Sequence, residues 1–384
     1  EYRYQSFETT PGDPASYAAG PLAGPPNFRA IGAQAGGGLK PADARSASRD
    51  TFSAYTEVTA DVRDNLFLDA AVRYENASDF GDSIAGKLSG RWEFAPGAAL
   101  RAAVSNSYRA PSLSQGNFQF STTNFGAGGI LTTVNLLPVD HPIAVALGAK
   151  PLDAETSFNL SGGLTVKTDI GLSFTADLFQ IDVDDRITLS ERIDCQNPPV
   201  PAPTQALCAG ANIQAVNFFT NAVDTRTRGV DVVANYKTGL FNGDLNLSAA
   251  FNYAKTTIRG VNAAAVAGVE VLGVEERNTL TEAAPKTKVI LTADWRDSDF
   301  NALVRATNYG SATRVFNFGG GFEPEQTYGG EWQLDLEAGY QITPNIGIYA
   351  GASNVLDEYP DLSDSLINYF DNLPYDVLSP IGMN

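Results

Sequence analysis

Long stretches of this chain alternate strictly between apolar and polar side chains. Segment 66–75 places Leu66, Leu68, Ala70, Val72 and Tyr74 on one side and Phe67, Asp69, Ala71, Arg73 and Glu75 on the other. Segment 157–166 sets Phe158, Leu160, Gly162, Leu164 and Val166 against Ser157, Asn159, Ser161, Gly163 and Thr165, and segment 245–254 repeats the pattern. The cleanest is 332–342, where Trp332, Leu334, Leu336, Ala338, Tyr340 and Ile342 oppose Gln333, Asp335, Glu337, Gly339 and Gln341. A period of two sends the two sets to opposite faces of a β-strand. In the last segment a Trp opens the apolar row and a Tyr stands near its other end, the arrangement of the aromatic girdles of membrane barrels.

The pattern predicts about thirteen strands, over 1–9, 50–62, 66–77, 84–94, 99–108, 155–167, 172–192, 216–238, 244–259, 286–296, 300–309, 331–342 and 346–356. Their connections alternate in length. Short ones fall at 63–65, 95–98, 168–171, 239–243, 297–299 and 343–345. Long polar ones fall at 10–50, 109–154, 193–215, 260–285, 310–330 and 358–384, and only the link at 78–83 is short on that side. Tight turns gathered at one end are expected of an outer-membrane barrel, whose rims face the periplasm and the outside. Several strands exceed the roughly 9–11 residues that cross a bilayer and are expected to project beyond the outer rim. A phase slip at Leu178-Phe179 reads as a bulge. Bacterial barrels close with an even number of strands; an odd count that ends in an outer loop predicts a piece truncated at both ends, with residues 1–384 forming one partial barrel domain.

Composition agrees with a wet lumen and a lipid-facing band. Charged residues make up 18% of the chain and the net charge is -18, an acidic balance that argues against nucleic acid. No run of about 18 apolar residues predicts a transmembrane helix. Cys195 and Cys208 lie in a Pro-rich loop and form a candidate disulfide, which fits an oxidising compartment; two free thiols are the alternative. No catalytic constellation is visible, so no enzyme is expected: His141 is the single histidine, and neither a cofactor nor a metal is implied. The Asp182-Asp184-Asp185 group lacks EF-hand spacing and reads as a strand extension paired with Arg186 or Arg192. A passive porin and a soluble β-rich adhesin or carbohydrate-binding protein are alternatives that share the alternation.

Four segments together resemble TonB-dependent outer-membrane receptors: Ser105 to Ser112, with Tyr108-Arg109-Ala110-Pro111-Ser112 at a strand end; Leu178 to Ile187; Asn221 to Asp231; and Ala352 to Pro360, with Asn354-Val355-Leu356-Asp357-Glu358-Tyr359. They are spread over most of the chain in the family's order. The resemblance implies an all-β transmembrane antiparallel barrel of 22 strands with a plugged lumen, of which this chain supplies about thirteen and lacks the plug and the final strand. It implies capture of a scarce nutrient for uptake energised by the TonB complex through the plug. The implied cargo is an iron–siderophore complex, cobalamin or a sugar, and the implied surroundings are outer-membrane lipid and lipopolysaccharide. It also implies that Arg226 and Arg228 face the lumen and pair with acids such as Asp224 and Asp231; anion binding is the alternative. Candidate cargo contacts are the loop residues Phe118, Phe120, Asn124, Phe125, Phe316, Phe318 and Tyr328; the aromatics among them are placed to grip a ligand or else to pack the loops on one another.

Overall fold

The computed structural model describes the chain except residues 18–37, 126–130, 263–265, 267–268, 319–320, 369–373, 377 and 381–384. Thirteen strands make one sheet in which each pairs antiparallel with its neighbours in the chain. They are β1 (Tyr2–Thr9), β2 (Arg45–Arg63), β3 (Leu66–Ala77), β4 (Gly81–Ala95), β5 (Ala98–Arg109), β6 (Glu155–Lys167), β7 (Leu172–Leu189), β8 (Phe219–Leu240), β9 (Gly243–Val261), β10 (Thr287–Arg296), β11 (Phe300–Tyr309), β12 (Glu331–Thr343) and β13 (Ile346–Ala352). The meander leaves β1 and β13 as its two edges. The short connections at 63–65, 95–98, 168–171, 239–243, 297–299 and 343–345 are tight turns at one end of the wall, and the short link after Ala77 lies at the other.

One face of this wall is apolar and open to its surroundings. Val72, Tyr74, Ile84, Leu88, Trp92, Leu100, Leu160, Leu178, Leu247, Phe251, Val304, Trp332, Leu336 and Tyr340 are all exposed. Cross-strand register puts them in one belt: Leu88 faces Ala70 and Val104, and Val304 faces Ala293 and Leu336. An apolar patch of this extent is incompatible with water and suits lipid. The opposite face is laced with charge. Lys87 reaches Asp69 at 3.1 Å, Arg73 reaches Glu75 at 2.9 Å, and Arg101 pairs with Asp177.

The sheet outgrows a membrane. At about 3.3 Å per residue, the 22 residues of β8 cover about 70 Å, and even a tilt of ~45° leaves them far taller than an apolar band of about 25 Å. The apparent phase slip at Leu178-Phe179 marks where the band ends. Pairing of β7 with β6 and β8 runs through these residues without a break, and the register shifts lie instead near Asn221–Thr225. Leu178, Gln180 and Asp182 share one face, so that face changes from apolar to polar while the strand continues.

The same register corrects two expectations. Arg226 and Arg228 lie on the face of Val230 and Val232, opposite Asp182 and Gln180, so they form a charged collar on the outer surface above the apolar band and not a lumen feature. Arg226 makes a bidentate pair with Asp182, 2.6 and 2.7 Å, and Arg259 pairs with Asp182 and Asp184. Asp224 accepts from the backbone N–H of Asp185, and Asp231 accepts from Asn252 Nδ2. The aspartates at 182 and 184 are thus held by arginines from β8 and β9, neither of them Arg186 or Arg192.

Candidate functional site

The long connections carry structure of their own. The alternation predicts strands to 192 and from 216; β7 instead ends at Leu189 and β8 begins at Phe219, and Ser190 and Phe218 close the gap between them. There Ser190 N–H donates to Phe218 O at 2.8 Å, and Phe218 N–H donates to Ser190 Oγ at 3.1 Å. Beyond this clasp the chain leaves the wall. Ile193–Asp194 pairs with Ala215–Asn217, which pairs in parallel with Leu131–Leu136, which pairs with Phe120–Phe125. Two separate loops therefore share one small sheet above the outer rim.

Beneath and around it lies an apolar cluster. Leu137, Ile143, Ala144, Leu147, Ile193, Val200, Ile213, Val216, Phe218 and Val269 are buried together with both cysteines. Cys195 and Cys208 are bonded, with Cα atoms 6.0 Å apart; Cys208 sits on the helix Ala202–Gly210. His141 takes a local role, its Nδ1 accepting from Ile143 N–H at 3.2 Å to cap the helix Pro142–Ala146. Burial, ahead of the opposing charge of Asp140, holds its pKa below the usual value.

A second group of loops joins from the far strands. The helix Val274–Thr281 packs on the hairpin Ala312–Val315/Glu325–Tyr328, where Asn278 Oδ1 accepts from Val315 N–H and Glu282 O accepts from Thr313 N–H. Arg314 is buried in this unit, facing Asp376 at 3.4 Å and lying 5.3 Å from the Phe316 ring centre. The two groups meet at Asn317. Its side-chain Nδ2 donates to Glu191 Oε1 at 2.9 Å, and its backbone N–H donates to Glu275 Oε2 at 2.8 Å. A cavity of ≈ 170 Å³ opens here, lined by Glu191, Arg192, Glu275, Glu276, Asn317 and Phe318 among others.

The predicted contact residues separate into two stacks and one packing residue. Phe118 and Phe120 stack at 6.0 Å, both half-buried, just after the helix Leu113–Asn117. Phe316 and Phe318 stack at 6.2 Å, and Phe322 extends the ladder at 5.7 Å. Tyr328 is only 6% exposed and its hydroxyl is hydrogen-bonded with that of Ser363 at 2.9 Å; it packs loops together. Asn124 and Phe125 belong to a paired strand, but their side chains lie outside the described residues. The carboxyls at 191, 275 and 276 were not among the sequence candidates. A signal existed for two of them: Gly273 followed by acidic residues in the next turn is a helix start, and Glu275 and Glu276 occupy that first turn.

A family model described as TonB dependent receptor-like, beta-barrel matches residues 1–355. Among solved structures, a double mutant of the ferric enterobactin receptor PfeA from Pseudomonas aeruginosa is 19% identical, with a TM-score of 0.59 over 82% of this chain and 40% of that one. The siderophore receptor PirA from Acinetobacter baumannii is 18% identical, with a TM-score of 0.57 over 82% and 42%. A copper transporter, OprC, is 16% identical, with a TM-score of 0.52 over 84% and 44%. The chain thus spans less than half the length of these proteins, and at such identities the likeness is one of fold. No curated protein matches the sequence.

Proposed function

Because the chain belongs to the TonB-dependent receptor β-barrel family, we propose that it is part of an outer-membrane receptor that captures a scarce nutrient, a siderophore–iron complex or a similar small molecule, for TonB-energised uptake. Its place is the outer membrane, where the exposed apolar belt meets lipid. The observation that carries the reading is the folded layer of loops on the outer rim, built over a wall whose other rim has only tight turns. Mobile outer loops suffice for an open pore; a layer with its own apolar cluster and cross-link suits selective capture. Similar structures include receptors named for ferric enterobactin and for siderophores, and one named for copper, which supports a metal-linked cargo without fixing it.

In this reading the chain works within a larger barrel whose plug contacts TonB, and the stacks Phe118–Phe120 and Phe316–Phe318–Phe322 contact the cargo. Lipopolysaccharide surrounds the charged collar of Arg226, Arg228 and Arg259. The test is growth on, or uptake of, an iron–siderophore in cells expressing the whole protein, with and without TonB. The expected result is uptake that disappears when TonB or the proton gradient is removed; unchanged uptake refutes the proposal in favour of a passive pore.

A further inference from the structure

The cavity at the meeting of the outer loops is lined with acid. Glu191 arrives from the end of β7, Glu275 and Glu276 from the helix Val274–Thr281, and Asn317 with Phe318 from the β11–β12 connection. Glu191 is 7% exposed, one of its oxygens is held by Asn317, and the other, Oε2, has no hydrogen-bond partner. A buried carboxylate oxygen without a donor is costly and native proteins rarely tolerate one. The sequence makes room for it: a Cβ at Gly273 would stand 1.9 Å from Glu191 Oε2, so only glycine lets this carboxyl lie where it does.

Arg192 lines the same space, so three glutamates there face one arginine. Arg314 faces Asp376 and the Phe316 ring. Arg277 faces Glu270 and donates to Leu272 O. Arg192 sends a guanidinium N–H to Phe318 O at 3.4 Å. Burial raises the pKa of all three glutamates, outweighing the opposing charge of Arg314 at Glu275 and Glu276; that of Glu276 reaches about 7, pushed further by Glu275 and Glu191.

Among the described residues, no three His, Cys, Asp or Glu groups lie close enough together to hold a metal ion. The carboxyls surround a space of ≈ 170 Å³, far more than the 10–15 Å³ that admits one water, so what fits is a group of several heavy atoms. One wall of that space is Phe318, whose ring is held in place by stacking with Phe316 and Phe322. We propose that this junction binds the planar or ammonium head of an organic cation, with Glu191 and Glu276 accepting its hydrogen bonds and Phe318 closing one side. Such a head group on a cargo would be selected by charge before it reaches the lumen, and this part of the inference rests on the receptor reading above.

Binding itself is measured without transport. The whole protein in detergent is titrated calorimetrically at pH 8 with benzamidine, a flat amidinium cation, and with benzamide, its neutral counterpart. Benzamidine is expected to bind saturably and at least tenfold more tightly than benzamide. Glu191→Gln and Glu276→Gln, which keep side-chain shape and so preserve the fold, are each expected to weaken it about tenfold, while Glu270→Gln leaves it unchanged. Equal binding of the two probes, or unaltered affinity in both glutamine variants, overturns the site. TonB-dependent uptake alongside such a result leaves the receptor reading intact; selective benzamidine binding alongside TonB-independent uptake supports the site and overturns only that reading.

Discussion

The wall and the loop layer solve opposite problems with the same chain. In the wall, large apolar side chains face outward and Leu178 is 66% exposed; in the layer, Leu147, Phe218 and Cys208 are at most 1% exposed. The wall's backbone bonds join strands that are neighbours in sequence. The layer's bonds join segments far apart, as where Ala215 pairs with Val134. Among the described residues, the main buried apolar cluster belongs to the loops. Lipid replaces a core for the wall, whereas the layer stands in water and must build one. The two are therefore expected to respond to opposite kinds of substitution.

The largest separation is expected from Phe218→Ala. Removing a fully buried aromatic from a small cluster costs about 3–5 kcal/mol, enough to open the layer. The wall, held by its own ladder and by lipid, is expected to survive. Limited proteolysis that cleaves between 190 and 218 while the detergent-resistant barrel mobility on gels persists checks this; simultaneous loss of both makes wall and layer one cooperative unit.

Leu88→Arg probes the converse. Leu88 is 55% exposed, and on a water-soluble surface the change would fall within about ±0.5 kcal/mol. On a lipid-facing strand near mid-membrane it costs about 2–4 kcal/mol. Unfolding in lipid vesicles measures the difference, and a neutral result removes Leu88 from the lipid belt.

The split between the regions also decides what was readable. Period-two alternation is local, so thirteen strands and their tight turns were legible from residues such as Leu66 to Tyr74 alone. The collar was not: Arg226 and Arg228 show the correct alternation, but nothing local says that the apolar band has ended below them. The height of a strand relative to lipid emerges only when Leu178, Val230 and their neighbours are set in register. The layer was still less legible. Its parallel pairing of 215–217 with 134–136 and the meeting of Glu191 with Asn317 depend on contacts across more than 75 residues. Position along the chain did flag Phe118, Phe120, Phe316 and Phe318 as a set, and they do form two stacks. It did not distinguish them from Tyr328, which is packed inside.

Opening the Cys195–Cys208 bond has a smaller expected effect than Phe218→Ala. The bond closes a loop with a sequence separation of 13, worth roughly 3 kcal/mol or less in the chain-entropy model. Reduction with dithiothreitol is expected to speed cleavage of the helix Ala202–Gly210 and to leave resistance of the 120–136 hairpin unchanged, because the hairpin keeps its own pairing. Equal cleavage throughout the layer makes the bond, and not the apolar cluster, its principal tie.

The smallest effect concerns pH and is confined to the layer. Glu276 has its carboxyl pKa raised to about 7 in the folded state, by burial first and by Glu275 and Glu191 next. A raised acid pKa means that the folded state holds the proton more tightly than the unfolded chain does, so stability contributed by this group is lost as pH rises from the unfolded value near 4.5 through about 7. Below that window both states are protonated and the group is neutral in effect; above it the folded layer carries a buried charge among like charges. Glu276→Gln removes the charge while keeping the shape. The variant's layer is therefore expected to open less readily than wild type at pH 8 and to match it near pH 4, with the difference appearing across the interval between. Thermal opening followed by a dye attached near Asn317, at several pH values, reads that difference. A gap that stays constant from pH 4 to pH 8 places Glu276 in water, where the outer loops leave it free of its acidic neighbours.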